Sequence, residues 1–151
     1  MEDRYLFKAK RLDNGEWVQG ALLDGEIYCL IAQEIKFSPY IMHECKIVGY
    51  EADRDTICQC TGLKDKNGKL IRENDIVKDL FSDVCAPIKY GSYQSCFDEH
   101  VGFYVDWTDK YAKRYRKDLG YWINMADTEI IGNVFDNPEL LKRGTYEQKT
   151  T

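Results

Sequence analysis

The densest run of side chains able to do chemistry is KYAKRYRK, residues 110–117. Lys110, Lys113, Arg114, Arg116 and Lys117 there interleave with Tyr111 and Tyr115. Cations in such a run contact phosphates, and a tyrosine such as Tyr115 offers a face on which a base can stack. The same letters also suit the wet face of a short helix, because Tyr111, Tyr115 and Leu119 recur every four residues and would face inward together. A third reading is charge pairing with an acidic neighbour in a homo-oligomer. All three stay open, with Lys110, Lys113, Arg114, Tyr115, Arg116 and Lys117 as the candidate binding residues.

Other reactive types are plentiful but unpatterned. The sequence contains no HExxH, no P-loop and no GxGxxG, so no motif assigns a catalytic residue. Carboxylates cluster between Asp53 and Asp83, as expected by chance among 26 acidic residues. The stretch Asp65-Lys66-Asn67-Gly68-Lys69 opens like a calcium loop, but its fifth ligand position falls on Lys69. Six cysteines, Cys29, Cys45, Cys58, Cys60, Cys85 and Cys96, form no CxxC, and the two histidines, His43 and His100, stand in no ligand spacing. Cys58 and Cys60 would share one face of a strand and supply at most half a zinc site. Reduced, partly buried thiols are the simpler reading. The expectation is no metal and no cofactor. Asp75, at the return of a hairpin, reads as a side chain accepting a backbone hydrogen bond rather than as a ligand contact.

The chain that must position these groups has 151 residues, 44% hydrophobic and 31% charged, which is the composition of a globular domain able to bury a core. Its net charge of −5 gives no general attraction to nucleic acid or anionic membrane. No segment approaches the roughly 20 apolar residues of a membrane span, and the charged start MEDRYLFKAKRL is unlike a secretory signal. A cytoplasmic location with no membrane partner is expected.

Period-two alternation and turn letters predict a mostly β chain. Residues 4–10, 16–23 and 27–31 read as a three-stranded meander, turned at Asp13-Asn14-Gly15 and Asp24-Gly25. Residues 32–45, with Pro39, read as a loop, and 46–52 as a strand. Asn67-Gly68 is the strongest turn signal. It joins 57–63 to the Ile71 return, with Lys64, Asp65, Lys66 and Lys69 keeping the tip wet. A turn and strand follow at 73–80. Residues 81–100 read as a long loop broken by a short strand, 101–107 as a strand, 108–119 as a helix, and 121–124 and 129–135 as strands. Pro138 suits the first position of a closing helix.

Three stretches, in order, resemble the YopX-like proteins of phages and prophages. Thr61-Gly62-Leu63-Lys64-Asp65-Lys66-Asn67-Gly68-Lys69 is similar to the family's central hairpin. It is followed by Asn74-Asp75-Ile76-Val77, where Asn74 replaces the usual glycine. Phe7-Lys8-Ala9 with Gly15-Glu16-Trp17 resembles the opening strand pair, and Ile130 to Leu141, IIGNVFDNPELL, the closing signature. On that resemblance Gly62, Asn67, Gly68, Asn74 and Asp75 are structural turn residues. The resemblance implies an SH3-type roll or small barrel with an added N-terminal β meander and short helices. It also implies homo-oligomerisation and a phage or prophage origin, and it carries no catalytic residue. The resulting expectation is one domain over 1–151, with a meander (1–50) packed on an SH3-like part (51–143) and a flexible tail at 144–151. Its expected role is that of a non-enzymatic accessory protein binding itself or an unknown host or phage protein. A nucleic-acid-binding barrel using 110–117 and an enzyme with an unrecognised site are the alternatives.

Overall fold

The structure, a computed structural model, describes residues 2–78, 84–95, 97–107, 117–125 and 128–142. Among the described residues ten strands dominate: β1 (Phe7–Lys10), β2 (Trp17–Asp24), β3 (Cys29–Phe37), β4 (Cys45–Glu51), β5 (Cys58–Lys64), β6 (Leu70–Arg72), β7 (Asp75–Lys78), β8 (Cys85–Ser95), β9 (Asp98–Val105) and β10 (Ile130–Asn133). One short helix, α1 (Leu119–Met125), and 3-10 turns complete them. The chain is mostly β, as its alternation predicts, and among the described strands neither of two antiparallel sheets closes into a barrel. It divides into two compact units, Met1–Gly62 and Leu63–Thr151.

In the first unit the strands lie in the order β4-β3-β2-β1-β5. Ala9, Cys29, Ile31 and Ala52 form the core, with Phe7, Val18, Leu22 and Ile57 packed against them. The predicted meander is present, but β3 runs further than the letters suggest. Half of the expected loop at 32–45 is strand: β3 continues to Phe37 and pairs with β4 as far as Phe37 opposite Cys45, and 38–44 is the turn. Pro39 occupies the turn and interrupts neither strand. Backbone passes very close to Ile31 and Ala32 here. A Cβ on Gly20 would stand 2.1 Å from the Ala32 carbonyl oxygen, and one on Gly49 2.4 Å from that of Ile31. Glycine at both positions permits that approach. A bulge follows between Ala32 and Glu34, and beyond it β3 continues with β4 as its partner.

The second unit carries the sheet β10-β7-β8-β9. Ile71, Val77, Ala86, Ile88, Val105, Trp107, Leu119, Trp122 and Ile130 make its core, with the Trp107 and Trp122 rings 4.9 Å apart. Two expectations change. The predicted loop at 81–100 contains the long β8–β9 hairpin. Pro87 fits in β8 because it lies one residue before pairing with β9 begins, at Ile88 opposite Val105. The predicted strand 121–124 is the middle of α1. Leu119, Trp122 and Ile123, spaced by three and four, put one helical face on the core, a pattern that four letters alone do not reveal. Ile76 and Val77 point to opposite faces yet are both buried, at 0% and 1% exposure. The predicted helix 108–119 and tail 144–151 lie outside the described residues, apart from 117–119.

Candidate functional site

Of the candidate binding residues, Lys110, Lys113, Arg114, Tyr115 and Arg116 lie outside the described residues. Lys117 is among the described residues. Its carbonyl accepts from Val105 N at 2.9 Å, and its ammonium lies 5.8 Å from the Tyr104 ring. Tyr93 stacks on Tyr104 at 5.2 Å and donates to Asp118 Oδ1 at 3.2 Å, while Ser95 Oγ donates to Asp118 Oδ2 at 2.9 Å. Burial, then the neighbouring Asp118, pushes the Tyr93 hydroxyl above its ordinary pKa. This is a mixed-charge packing arrangement around one hairpin, with an aspartate beside the lysine.

The motif residues spend their polar groups on backbone. Asp65, expected at a wet tip, is only 7% exposed. Its Oδ1 accepts from Asn67 N and Lys69 N, both at 2.9 Å, and its Oδ2 accepts from Ile130 N at 3.2 Å. One carboxylate thus closes the turn and fastens it to β10. Gly62 and Gly68 have φ of 80° and 79°. Asn74, in the family's glycine position, has φ 66°, a conformation that Asn tolerates well. Its N–H donates to Ile88 O at 2.7 Å and its carbonyl accepts from Val134 N at 2.9 Å. Asp75, 2% exposed, accepts from Arg72 N at 2.8 Å. The closing signature works likewise. Asn133 Oδ1 accepts from Phe135 N and Asp136 N, both at 3.0 Å, and Asn137 Oδ1 accepts from Asn133 N at 3.3 Å.

Thiols show the same economy. Cys58 and Cys60 are fully buried and Cys29 is 3% exposed, its thiol pushed up by burial first of all. Among the described residues no three His, Cys, Asp or Glu side chains are grouped to hold a metal. Cys96 lies outside the described residues.

The far end of the β3–β4 ribbon, where the letters suggest a loop over 32–45, has no such internal explanation. Its register pairs Ile35 with Ile47 and Phe37 with Cys45 on one face, and Glu34 with Val48 and Lys36 with Lys46 on the other. One face is therefore apolar and the other largely charged. The Lys36 ammonium is 2.8 Å from Glu34. The connecting turn is built, not slack. Ser38 Oγ accepts from Tyr40 N and Ile41 N at 3.3 and 3.2 Å, Ser38 N donates to Glu44 O at 3.0 Å, and His43 takes φ 77°. This ordered turn holds Tyr40, Ile41 and Met42 at 94%, 58% and 83% exposure, beside Phe37 at 78%. A hollow of about 570 Å³ beside it is wide open to solvent and is lined in part by Lys36, Phe37, Glu44 and Ile47. Such a shape suits a contact surface better than a pocket enclosing a small molecule. The sequence signal that would have revealed the ribbon is the alternation Glu34-Ile35-Lys36-Phe37.

These features define a class: a mostly β chain of two compact units, whose motif residues serve the backbone and whose exposed apolar residues include a cluster on a ribbon. The chain belongs to the YopX family; the family's sequence model, described as YopX protein, matches residues 6–142. No curated protein gives a significant match. Among solved structures the fold is similar to the crystal structure of protein EF1440 from Enterococcus faecalis. The TM-score is 0.55 and the identity 24%, over 89% of this chain and 96% of that one.

Proposed function

We propose that this YopX-family chain is a non-enzymatic accessory protein of a phage or prophage, acting in the bacterial cytoplasm by protein binding, in the first place by self-assembly through the β3–β4 ribbon. The observation that carries the reading is the ordered turn presenting Tyr40, Ile41 and Met42 to solvent beside Phe37. Solvated turns are ordinarily polar. Large apolar side chains held rigidly in water are instead the usual make-up of interface anchors, because little conformational freedom remains to be lost on binding. Together the four present on the order of 600 Å² to solvent. A stable interface covers about 800 Å² on each partner. The tip with its flanking ribbon face thus supplies most of that area. Phage origin rests on the family resemblance, and cytoplasmic location on the sequence reading. Among the described residues no helix is long and apolar enough to cross a membrane.

Native mass spectrometry at micromolar concentration tests this reading. The wild-type chain is expected as an oligomer, and Tyr40→Ser with Met42→Ser as a lighter species with an unchanged melting temperature. A monomeric wild type overturns self-assembly, and an oligomer indifferent to both substitutions removes the tip from it.

A further inference from the structure

We infer that the ribbon's apolar face packs on the same face of a second copy about a two-fold axis running along the ribbon, with Phe37 of each chain seated over Cys45 of the other. This rests on the self-assembly reading and adds to it the interface, its symmetry and the residue that receives the anchor.

The argument starts from the two cross-strand rows. In one, Ile35 faces Ile47, two side chains of equal size, exposed at 39% and 41%. In the other, Phe37, 78% exposed, faces Cys45, which is small and also exposed. The face therefore has a knob on the β3 side of the row and a hollow on the β4 side. An interface between identical copies must bring residue i onto residue j and residue j onto residue i. Rotation about an axis along the ribbon exchanges its two strands. It lays Phe37 over the partner's Cys45 and Ile35 over the partner's Ile47, so both rows fill. An in-plane axis across the strands would set aromatic against aromatic and leave the two Cys45 hollows empty. Packing at interface cores approaches that of protein interiors, so the arrangement that fills both hollows is favoured.

The other ribbon face supports the choice. Lys36 and Lys46 stand directly opposite each other there, with Glu34 in reach of Lys36. Like charges opposite each other are tolerable in water and costly when desolvated, so that face stays wet. The occupant is a second copy because the ribbon itself carries both the knob and the hollow that this face needs, and the exposed tip residues already present most of the roughly 800 Å² that each partner of a stable dimer covers.

A swap experiment separates this arrangement from any generic apolar contact. Phe37→Cys leaves two hollows per row and Cys45→Phe two knobs, and each alone is expected to weaken dimerisation about tenfold or more in sedimentation equilibrium. The double variant Phe37→Cys/Cys45→Phe restores one knob and one hollow, and is expected to return to within about threefold of wild type. Circular dichroism melting of each variant controls for folding. In the wild type the partner's Phe37 covers Cys45, so maleimide labelling of Cys45, read by peptide mass, is expected to slow about tenfold as concentration rises through the dimerisation range. A double variant no tighter than the singles, or Cys45 labelling indifferent to concentration, overturns the inference. If the wild type is nonetheless oligomeric, self-assembly stands and uses another surface. A monomeric wild type overturns both.

Discussion

Two hairpin tips in this molecule use their letters in opposite ways. The Asp65–Gly68 turn is written in charged and polar residues, yet its aspartate is buried and spends both oxygens on backbone N–H groups. The Ser38–Glu44 turn is rich in apolar residues, yet Tyr40 and Met42 stand in water. The first tip is accounted for by folding alone. A buried carboxylate holding three N–H groups fixes the turn and its position on β10. The second is not, because solvating an aromatic ring contributes nothing to holding a monomer together. Asp65, placed against its own solvation preference, has its partners within the chain, and for the ribbon the partner we propose is a second copy. Composition alone would have assigned the two tips the other way round.

The contrast is broken most forcefully at Asp65. Asp65→Ala leaves the N–H groups of Asn67, Lys69 and Ile130 without their acceptor in a mostly buried place. The expected loss is about 3 kcal/mol in urea unfolding, or a fall of about 10 °C in melting temperature for a chain of this size. Tyr40→Ser, at a position solvated in the single chain, is expected to move the stability of the dissociated chain by less than about 0.5 kcal/mol. Equal losses at the two sites would erase the distinction between a tip that folds the chain and a tip that contacts another.

A smaller effect is expected at Asn74. Its φ of 66° costs an ordinary L-residue about 1 kcal/mol, and a glycine nothing. Asn74→Ala is therefore expected to destabilise by about 1 kcal/mol, and Asn74→Gly to leave unfolding close to wild type. If Asn74→Gly proved as damaging as Asn74→Ala, the asparagine side chain, and not its backbone, would be what matters at the family's glycine position.

How much of this was legible in the letters follows from the range of each interaction. Asn67-Gly68 announces a turn because positive φ is a property of one or two residues. That Asp65 reaches Ile130 was not legible, since sixty-five positions separate them and only the folded chain brings them together. The ribbon was half legible: Glu34-Ile35-Lys36-Phe37 alternates as a strand does, but Pro39 draws the eye to a loop. In the window Tyr121–Asn124, α1 was illegible because its inward face needs Leu119 to be seen. The candidate site suffered most. The sequence advertises charge at 110–117, whereas an exposed apolar ribbon differs from a buried strand only in what covers it, and no letter records that.

The finest test of the folding tip is electrostatic. Lys66 lies 2.7 Å from Glu129, and Asn67 Nδ2 donates to the same carboxylate at 3.3 Å. The hydrogen bond from Lys66, then its charge, holds the Glu129 carboxyl below its ordinary pKa. A carboxyl depressed on folding adds stability above its unfolded pKa, and that stability is lost as pH falls through the folded one. Wild type is thus expected to melt slightly above Glu129→Gln at pH 7. The gap should close below the ordinary glutamate range near ~4.3. Glu129 is solvent-exposed, so salt should narrow the gap at pH 7 as well. A gap unchanged by acid and salt would mean that the side chain acts through shape, leaving Asp65 as the charge that fastens this turn.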